Sequence, residues 1–261
     1  MKNSSFQFQN YMSHKPIKTN LLYALTFLVI FLIPSRGFSQ YSEELYDALS
    51  YKIDYEKVEQ LLKSGTDANQ MDEYNRTPLY MAVYNTSTQI DKKYLTVKLI
   101  VNHGADVNVK TGRRHASPLL YAARSGYIRI VKFLLENGAR TDIRDKYGNT
   151  PLYYASSQGN IKIVHALIKN GADPKETDVM VAAAFSNRVE VAKILLENGA
   201  VVDPPSPRTT FPLKESAENG HLEMVRFLLN NGADPNLKVD KAVDKNSEWQ
   251  VGFTALATSV K

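Results

Sequence analysis

The sequence predicts an all-α protein in which pairs of helices stack into a solenoid. Two observations carry this prediction. A Gly-Ala pair recurs along the chain at intervals of 34, 33, 28 and 33 residues, and a period near 33 is typical of repeat proteins whose unit is one supersecondary element. Ahead of these pairs, apolar residues are spaced as on one face of a helix. The pairs are Gly104-Ala105, Gly138-Ala139, Gly171-Ala172, Gly199-Ala200 and Gly232-Ala233.

Residues 1–39 have the composition of a secretory signal peptide. Three lysines precede an apolar run of 13 residues from Leu21 to Ile33, and the small residues Gly37 and Ser39 follow it. A basic start, a short apolar stretch and a small-x-small exit are the parts of such a signal, whereas a membrane span needs about 20 apolar residues. We expect cleavage near Ser39 and export. The alternative is an uncleaved N-terminal membrane anchor, since the polar stretch before the run is long.

The excess positive charge of the chain lies mostly in this leader. Residues 1–39 hold four of the 32 basic residues and no acidic one, so the remainder carries 28 basic against 27 acidic residues. A balance so close to neutral gives no general attraction to nucleic acid, and no such partner is expected. The chain has no cysteine, which excludes disulfides and thiol chemistry. Packing alone must therefore stabilise the exported part.

Residues 145–177 form the clearest repeat unit. The segment Asp145 to Asn149 predicts a turn, in which Gly148 is free to adopt a positive φ. Thr150 and Pro151 are typical of the N-cap and first position of a helix, and Gly159 is expected to end that helix. A second amphipathic helix follows, because apolar residues recur at helical spacing. Those residues are Ile161, Val164, Leu167 and Ile168.

A turn followed by two antiparallel helices, the first opened by Thr-Pro-Leu, resembles the ankyrin repeat. The opening motif recurs as Thr77-Pro78-Leu79, Ser117-Pro118-Leu119, Thr150-Pro151-Leu152 and Phe211-Pro212-Leu213. The resemblance implies an ankyrin-repeat solenoid over residues 40–261, with β-turn fingers, about five full repeats, an N-terminal helical cap and a partial C-terminal repeat. We place the cap at 42–71, the repeats at about 72–111, 112–144, 145–172, 173–205 and 206–238, and the partial repeat at 239–261.

The opening motifs depart from the ankyrin pattern at two kinds of position. The family favours histidine after Thr-Pro-Leu, so its usual Thr–His hydrogen bond is absent here. Asn187 stands where glycine ends the first helix in other repeats, and asparagine tolerates the left-handed conformation better than most residues do. The residues in the histidine position are Tyr80, Leu120, Tyr153 and Lys214.

Three repeats differ in length from the 33-residue period. The first full repeat carries about six extra residues, near Thr86 to Lys92, which we expect between its two helices. The finger after Gly171 is five residues short, and the last finger is ten residues longer, with an insert at about 237–251. The segment from Gly252 starts another repeat. We expect it to be either a frayed half-cap or the beginning of further repeats in a longer protein.

No arrangement typical of catalysis is found in the sequence. The five histidines lack metal-ligand spacing, and neither a glycine-rich phosphate loop nor a nucleophile elbow is present. Aspartates after the Gly-Ala pairs recur once per repeat, which favours turn chemistry over acid–base catalysis. We therefore expect no enzymatic activity, no cofactor and no metal.

Ankyrin proteins usually meet their partners with the finger tips and the exposed ends of the first helices. Carried onto this chain, that face is rich in Tyr and Arg, the residue types that dominate interface hot spots. Because Arg binds carboxylates in a bidentate way, we expect a protein partner with an acidic surface. A merely solvated basic face is the alternative. The predicted partner-binding residues are Tyr74, Arg76, Tyr84, Arg113, Arg114, Arg124, Lys146 and Tyr147.

The sequence thus predicts an exported, monomeric interaction scaffold, free of the membrane after cleavage. A periplasmic or cell-surface adaptor is the main hypothesis. Two alternatives stay open: a secreted effector that acts on host proteins, and the regulatory N-terminal part of a longer enzyme.

Overall fold

The computed structural model describes residues 43–86, 88–203 and 211–237. Within these ranges the chain forms twelve helices and no strand, and its one isolated β-bridge pairs Thr111 with Ala116. The predicted all-α fold is confirmed. The predicted signal peptide at 1–39, the partial repeat at 239–261 and nearly all of the insert before it lie outside the described residues. No helix in the described ranges is long and apolar enough to cross a membrane.

The helices form six consecutive pairs, and each pair lies within one predicted unit. The exact limits between units stay a prediction. The first helices of the pairs are α1 (Glu43–Ser50), α3 (Pro78–Tyr84), α5 (Pro118–Arg124), α7 (Pro151–Gln158), α9 (Thr177–Phe185) and α11 (Pro212–Glu218). The second helices are α2 (Tyr55–Lys63), α4 (Ile90–Asn102), α6 (Ile128–Glu136), α8 (Ile161–Lys169), α10 (Val189–Glu197) and α12 (Leu222–Asn230).

The first helices begin and end where the sequence motifs predict. The hydroxyls of Thr77, Ser117 and Thr150 accept hydrogen bonds from the backbone N–H groups three residues on, at 3.2 to 3.3 Å, and a proline follows each cap. These caps satisfy donors that have no partner inside the helix. At the C-terminal end of α7, Gly159 adopts a left-handed conformation with φ 75°. After the C-terminal end of α9, Asn187 does the same with φ 53°. The prediction that Asn187 replaces a left-handed glycine is confirmed.

The extra residues of the first full repeat are not confined to the inter-helix loop, and that expectation was wrong. Helix α4 has 13 residues, whereas α6, α8, α10 and α12 have nine. Two extra residues lengthen the loop and four extend the start of α4. The side chain of Lys93 in this added turn is fully buried, so tertiary contacts hold the additional turn in helical form.

A column of small residues lets neighbouring helix pairs pack closely. One residue near the middle of each first helix from α3 to α11 is small and fully buried, and its size sets the distance to the next first helix. The column consists of Ala82, Ala122, Ala155, Ala183 and Ser216. The second helices bury most of the apolar face that their spacing predicts, with corrections in α12, where Leu222 and Leu229 are 71% and 42% exposed, and in α8. Ile161 is 38% exposed and Ile163 takes the buried position.

Asparagine side chains join the bases of successive fingers. The amide of Asn69 donates from Nδ2 to the carbonyl of Gly104 at 2.8 Å and accepts at Oδ1 from the N–H of Asp106 at 2.7 Å. Asn108 makes the equivalent pair one repeat later, to the Gly138 carbonyl at 3.0 Å and from the Arg140 N–H at 2.8 Å. We call this series the asparagine ladder.

The ladder weakens after the second full repeat because the equivalent residues cannot both donate and accept. Asp142 has no donor and pairs with Arg140 at 2.7 Å instead. The side chain of Lys175 can donate a hydrogen bond but has no atom that accepts one. Asp203 makes half of the arrangement, accepting from the Asp234 N–H at 2.6 Å, while its other oxygen is buried without a partner among the described residues.

Candidate binding groove

Aspartates organise the turns of the first and third fingers. In the first finger, Oδ1 of Asp72 accepts from the N–H groups of Tyr74 and Arg76 at 2.9 and 2.8 Å. In the third, Oδ1 of Asp145 accepts from the N–H groups of Tyr147 and Asn149 at 2.9 and 3.0 Å. Each carboxylate replaces several missing backbone partners at once and fixes the turn.

The middle finger has Gly112 in place of this aspartate. Its turn is held by the reciprocal backbone pair of Thr111 and Ala116, at 3.1 and 3.2 Å, and by the Gly112 N–H, which donates to the Asn75 carbonyl at 2.9 Å. Since residue 112 carries no side chain, this finger brings no carboxylate to the neighbouring Arg113 and Arg114. The consequence is a local excess of positive charge on the middle finger.

Three tyrosines fill the space between the first and second repeats. Tyr80 stacks on Tyr84 at 5.4 Å between ring centroids and meets Tyr121 edge-on at 4.9 Å, and Tyr84 also meets Tyr121 edge-on at 5.5 Å. The hydroxyls of Tyr80 and Tyr121 lie 3.3 Å apart in a hydrogen bond. Burial, assisted by the Tyr121 hydroxyl, raises the pKa of Tyr80 far above its ordinary value. Tyr80 therefore stays uncharged at physiological pH.

An open groove of about 780 Å³ runs over the aromatic cluster. Six of the eight predicted partner-binding residues line it, and among its lining residues none is acidic. Ring faces form its floor and the fingers form its walls. The lining residues are Tyr74, Arg76, Tyr80, Tyr84, Asn85, Thr86, Gly112, Arg113, Arg114, Tyr121, Arg124, Ser125, Tyr127 and Gln158.

Lys146 and Tyr147, the other two predicted residues, lie beside the groove and not in its wall. They are joined to it through Arg114, whose carbonyl accepts from the Lys146 N–H at 2.9 Å. The Arg114 guanidinium lies 5.5 Å from the centroid of the Tyr147 ring. The eight predicted residues thus form one contiguous surface, which we call the Arg–Tyr surface.

The arginines of this surface differ in their charge environment. Arg76 makes a charge-assisted pair with Asp72, with Nε and Nη2 each 2.5 Å from Oδ2, so its charge is largely compensated. For Arg113, Arg114 and Arg124, no carboxylate lies within 4.0 Å among the residues that the structure describes. These three guanidinium groups are the available positive charges of the groove.

Tyrosine rings support the arginines. The guanidinium of Arg76 lies 4.8 Å from the Tyr74 ring centroid, and that of Arg124 lies 5.6 Å from the Tyr154 centroid. A cation above a ring face is attracted to the negative face of the π system, and a guanidinium held there keeps its N–H edge free for a planar anion. The rings thus restrict the side-chain freedom of the arginines before any ligand binds.

Sequence reasoning missed Lys93, whose hydrogen-bond partners Asn85 and Tyr127 line the groove. Its fully buried ammonium donates to the carbonyls of Asn85 and Val83 and, at 3.0 Å, to the hydroxyl of Tyr127. It also lies 4.2 Å from the Tyr127 ring centroid. This lysine takes over the carbonyls at the end of α3, where other first helices use a left-handed residue. Its position four and seven residues before Val97 and Ile100, both fully buried, was the available signal.

The groove-lining Asn85 is almost fully buried and serves the fold. Its Nδ2 donates to the carbonyls of Leu49 and Ser50 at 2.7 and 2.9 Å, which ties α3 to the end of α1. In the described ranges no group of three or more His, Asp or Glu side chains is arranged to hold a metal ion. The arrangement can bind an anion, and it offers no nucleophile next to a base.

Stacked helix pairs, projecting fingers and a concave groove with uncompensated arginines define a repeat protein of the binding-scaffold class. The family model for ankyrin repeats, which contains three copies of the repeat, matches residues 45–145, 92–178 and 175–239. The chain therefore belongs to the ankyrin-repeat family.

Similar proteins share these repeats in different settings. Cyclin-dependent kinase 4 inhibitor B from Bos taurus is 30% identical over 93 residues, which cover 36% of this chain and 66% of the inhibitor. The palmitoyltransferase Hip14 from Drosophila melanogaster is 34% identical over 92 residues, or 35% of this chain and 14% of the transferase. The chain thus matches between about a seventh and two thirds of the length of these two relatives.

Solved ankyrin domains share the fold. The ankyrin-repeat domain of human ASB11 superposes with a TM-score of 0.68 at 23% identity, covering 84% of this chain and 92% of that domain. The ankyrin-repeat domain of Bcl-3, described as a unique member of the IkappaB protein family, gives 0.64 at 22% identity, covering 83% of this chain and 93% of that domain.

Proposed function

We propose that this protein is an exported ankyrin-repeat scaffold that binds an acidic protein partner through the Arg–Tyr surface and performs no catalysis of its own. The observation that carries the proposal is the charge of the groove. Arg113, Arg114 and Arg124 meet in it without a neighbouring carboxylate, while the rest of the exported part is close to neutral. A concentrated patch on a neutral protein favours one acidic partner over general polyanion binding.

The relatives support binding over catalysis. The matched cyclin-dependent kinase 4 inhibitor is, by its name, a protein that acts on another protein. The matches to palmitoyltransferases cover only 8 to 16% of those enzymes, so they give no ground for an acyl-transfer activity here.

Export rests on the N-terminal pattern of charge and apolar residues. N-terminal sequencing of the protein recovered from the exported fraction should find a start near Gln40, and a start at Met1 in the membrane fraction would favour the uncleaved anchor. Recovery from host cells would favour the secreted effector, and further coding sequence for a catalytic domain would favour the regulatory part of a longer enzyme.

Affinity capture from the exported fraction tests the proposed function. The bait is the purified protein, and its double variant Arg114→Glu/Arg124→Glu should lose captured partner by about ten-fold or more, because each reversal replaces attraction with repulsion. Arg226→Glu, an exposed arginine on α12 far from the groove lining, is the charge-reversal control and should capture normally. Undiminished capture by the double variant, with an unchanged thermal melt, would refute the proposal.

A further inference from the structure

Tyr154 links Arg124 to the carboxylate of Asp145. The guanidinium of Arg124 lies 5.6 Å from its centroid, and the Tyr154 hydroxyl donates to Oδ2 of Asp145 at 2.8 Å. Burial raises the pKa of Tyr154, while the nearby positive charge of Arg114 acts on it in the opposite direction. Tyr154 is therefore held in place by Asp145 with the Arg124 guanidinium beside its ring, and Arg114 is held in the same way by the Tyr147 ring.

Each exposed aromatic ring of the Arg–Tyr surface already has a cation or another ring beside it. Tyr147 has the Arg114 guanidinium at 5.5 Å and the Lys146 ammonium at 5.0 Å from its centroid. Tyr74 carries Arg76, and Tyr84 is stacked on Tyr80. These three tyrosines are still 52 to 54% exposed, and their contacts suit them as supports that orient guanidinium groups.

The carboxylate of Asp145, which is joined to Arg124 through Tyr154, already has hydrogen-bond partners. Asp145 is almost fully buried, and its two oxygens accept from the Tyr147 N–H, the Asn149 N–H and the Tyr154 hydroxyl. With its acceptor sites filled by three donors, Asp145 has little capacity left for an arginine. The N–H edges of Arg114 and Arg124 are therefore left for a ligand.

The shape of the groove selects a protruding ligand. Its floor is formed by Tyr80 and Tyr121, each only 5% exposed, so a flat protein surface resting on the finger tips would not reach it. A volume of about 780 Å³ lies in the range that accepts a drug-sized ligand, which is also the scale of a few side chains. An extended segment or loop satisfies both conditions.

We propose that Arg114 and Arg124 form a clamp for two carboxylates on a protruding acidic segment of the protein partner, an inference that rests on the proposed function. Each guanidinium donates two parallel N–H bonds to one carboxylate. Tyr154 and Tyr147 are positioning residues, because they hold the arginines and do not themselves touch the carboxylates.

Short peptides test the clamp directly. The probe is a capped, fluorescently labelled peptide, Gly-Glu-Glu-Phe-Glu-Glu-Gly, and its control has glutamine in place of every glutamate. Fluorescence anisotropy should show the acidic peptide binding the wild-type protein at least about ten-fold more tightly than the glutamine peptide. Its affinity should fall as NaCl rises from about 50 to about 500 mM, since exposed charges are screened.

Variants locate the binding in the groove. Arg114→Gln and Arg124→Gln should each weaken the acidic peptide by about ten-fold or more, whereas Arg226→Gln should leave it unchanged. Tyr154→Phe keeps the ring and should retain most of the affinity for the acidic peptide. Tyr154→Leu should lose most of that affinity, and its binding of the glutamine peptide should stay as weak as that of the wild type. A loss that is equal in the phenylalanine and leucine variants would overturn the positioning role.

The outcomes separate the clamp from the proposed function. Equal affinity for the two peptides, or tighter binding of a single-stranded oligonucleotide of the same net charge, would overturn the clamp. If the acidic peptide does not bind while Arg114→Glu/Arg124→Glu still loses the captured partner, the clamp is wrong and the proposed function stands. If the double variant also keeps its partner, both are wrong.

Discussion

The ring of Tyr80 occupies the space into which any side chain at Gly112 would project. A Cβ atom at residue 112 would lie 2.8 Å from the Tyr80 hydroxyl oxygen and 2.9 Å from its Cζ. Gly112 also adopts φ 67°, where an L side chain is strained. The tyrosine that replaces the family's histidine and the glycine that replaces the neighbouring fingers' aspartate are therefore one adaptation. Together they place aromatic surface, and no acid, under the arginines.

Gly112→Ala should destabilise the protein more than an alanine at another left-handed glycine. Gly104 has φ 86° with no atom near its absent Cβ, so Gly104→Ala measures the backbone strain alone, about 1–2 kcal/mol. Gly112→Ala adds the displacement of Tyr80 and should cost about 1–3 kcal/mol more. Urea unfolding measures both. Adding Tyr80→Leu to Gly112→Ala should recover part of that difference, and no recovery would contradict the contact.

Lys93→Met should lower the free energy of unfolding by about 1–3 kcal/mol, because it leaves the carbonyls of Asn85 and Val83 without a donor. Lys98→Met on the exposed side of the same helix is the control and should stay within about 0.5 kcal/mol of wild type. Chemical denaturation gives both values. An unchanged stability for Lys93→Met would mean that the cost of burying the ammonium cancels its hydrogen bonds.

Asp203→Asn should stabilise the protein by about 0.5–1.5 kcal/mol at neutral pH. An asparagine can keep the bond from the Asp234 N–H and add a donor for the Gly232 carbonyl, as Asn69 and Asn108 do in the asparagine ladder. It also removes a carboxylate whose pKa is raised by burial. The thermal midpoint is the measurement, with Asp47→Asn on the exposed side of α1 as control. A lower midpoint would show that the ladder geometry does not extend to this repeat.

Glu176→Gln should have a pH-dependent effect on stability. Burial raises the pKa of Glu176, outweighing the Arg144 guanidinium, which lies 2.8 Å from Oε1, and the Thr150 hydroxyl at 3.2 Å from Oε2. The native state thus binds the proton more tightly than the unfolded state. This contribution to stability is present below the unfolded pKa and is lost as the pH rises through the native one.

At about pH 4 the free energies of unfolding of Glu176→Gln and of the wild type should therefore be nearly equal. As the pH rises to about 7, the variant should become the more stable of the two proteins. Unfolding curves at several pH values test this, with Glu190→Gln, an exposed charge on α10, as the control for net charge. A variant less stable than wild type at pH 7 would mean that the ion pair with Arg144 dominates over burial.

Local sequence chemistry was sufficient for the helix pairs. Threonine or serine before proline fixed the starts of α3, α5 and α7, and glycine or Asn187 fixed the ends of several first helices, since caps depend on residues a few positions apart. The division of the extra residues between loop and helix was not predictable in this way. It depends on Lys93 reaching Tyr127, 34 residues further along.

The groove, too, was predictable only where local sequence and repeat position decide its lining. Repeat register brought six of the eight predicted residues into one lining, because equivalent positions of stacked units are neighbours in space. Tyr154 was missed because its role comes from Arg124, in the preceding repeat, and from Asp145 beneath it. Register also could not show that Asp72 compensates the charge of Arg76, while Arg114, next to Gly112, has no carboxylate within 4.0 Å among the described residues.

The interruption of the asparagine ladder has a mechanical consequence. Asn69 and Asn108 tie the first three units together with paired bonds that run along the stacking direction, whereas Asp142 and Lys175 make no such bond among the described residues. A pulling force applied along the stack would concentrate its extension at the two junctions that follow Asp142 and Lys175. The cap and the first two full repeats, which carry most of the groove lining, would then move as one stiff block, while the later repeats, including the third with Gln158, would be more compliant.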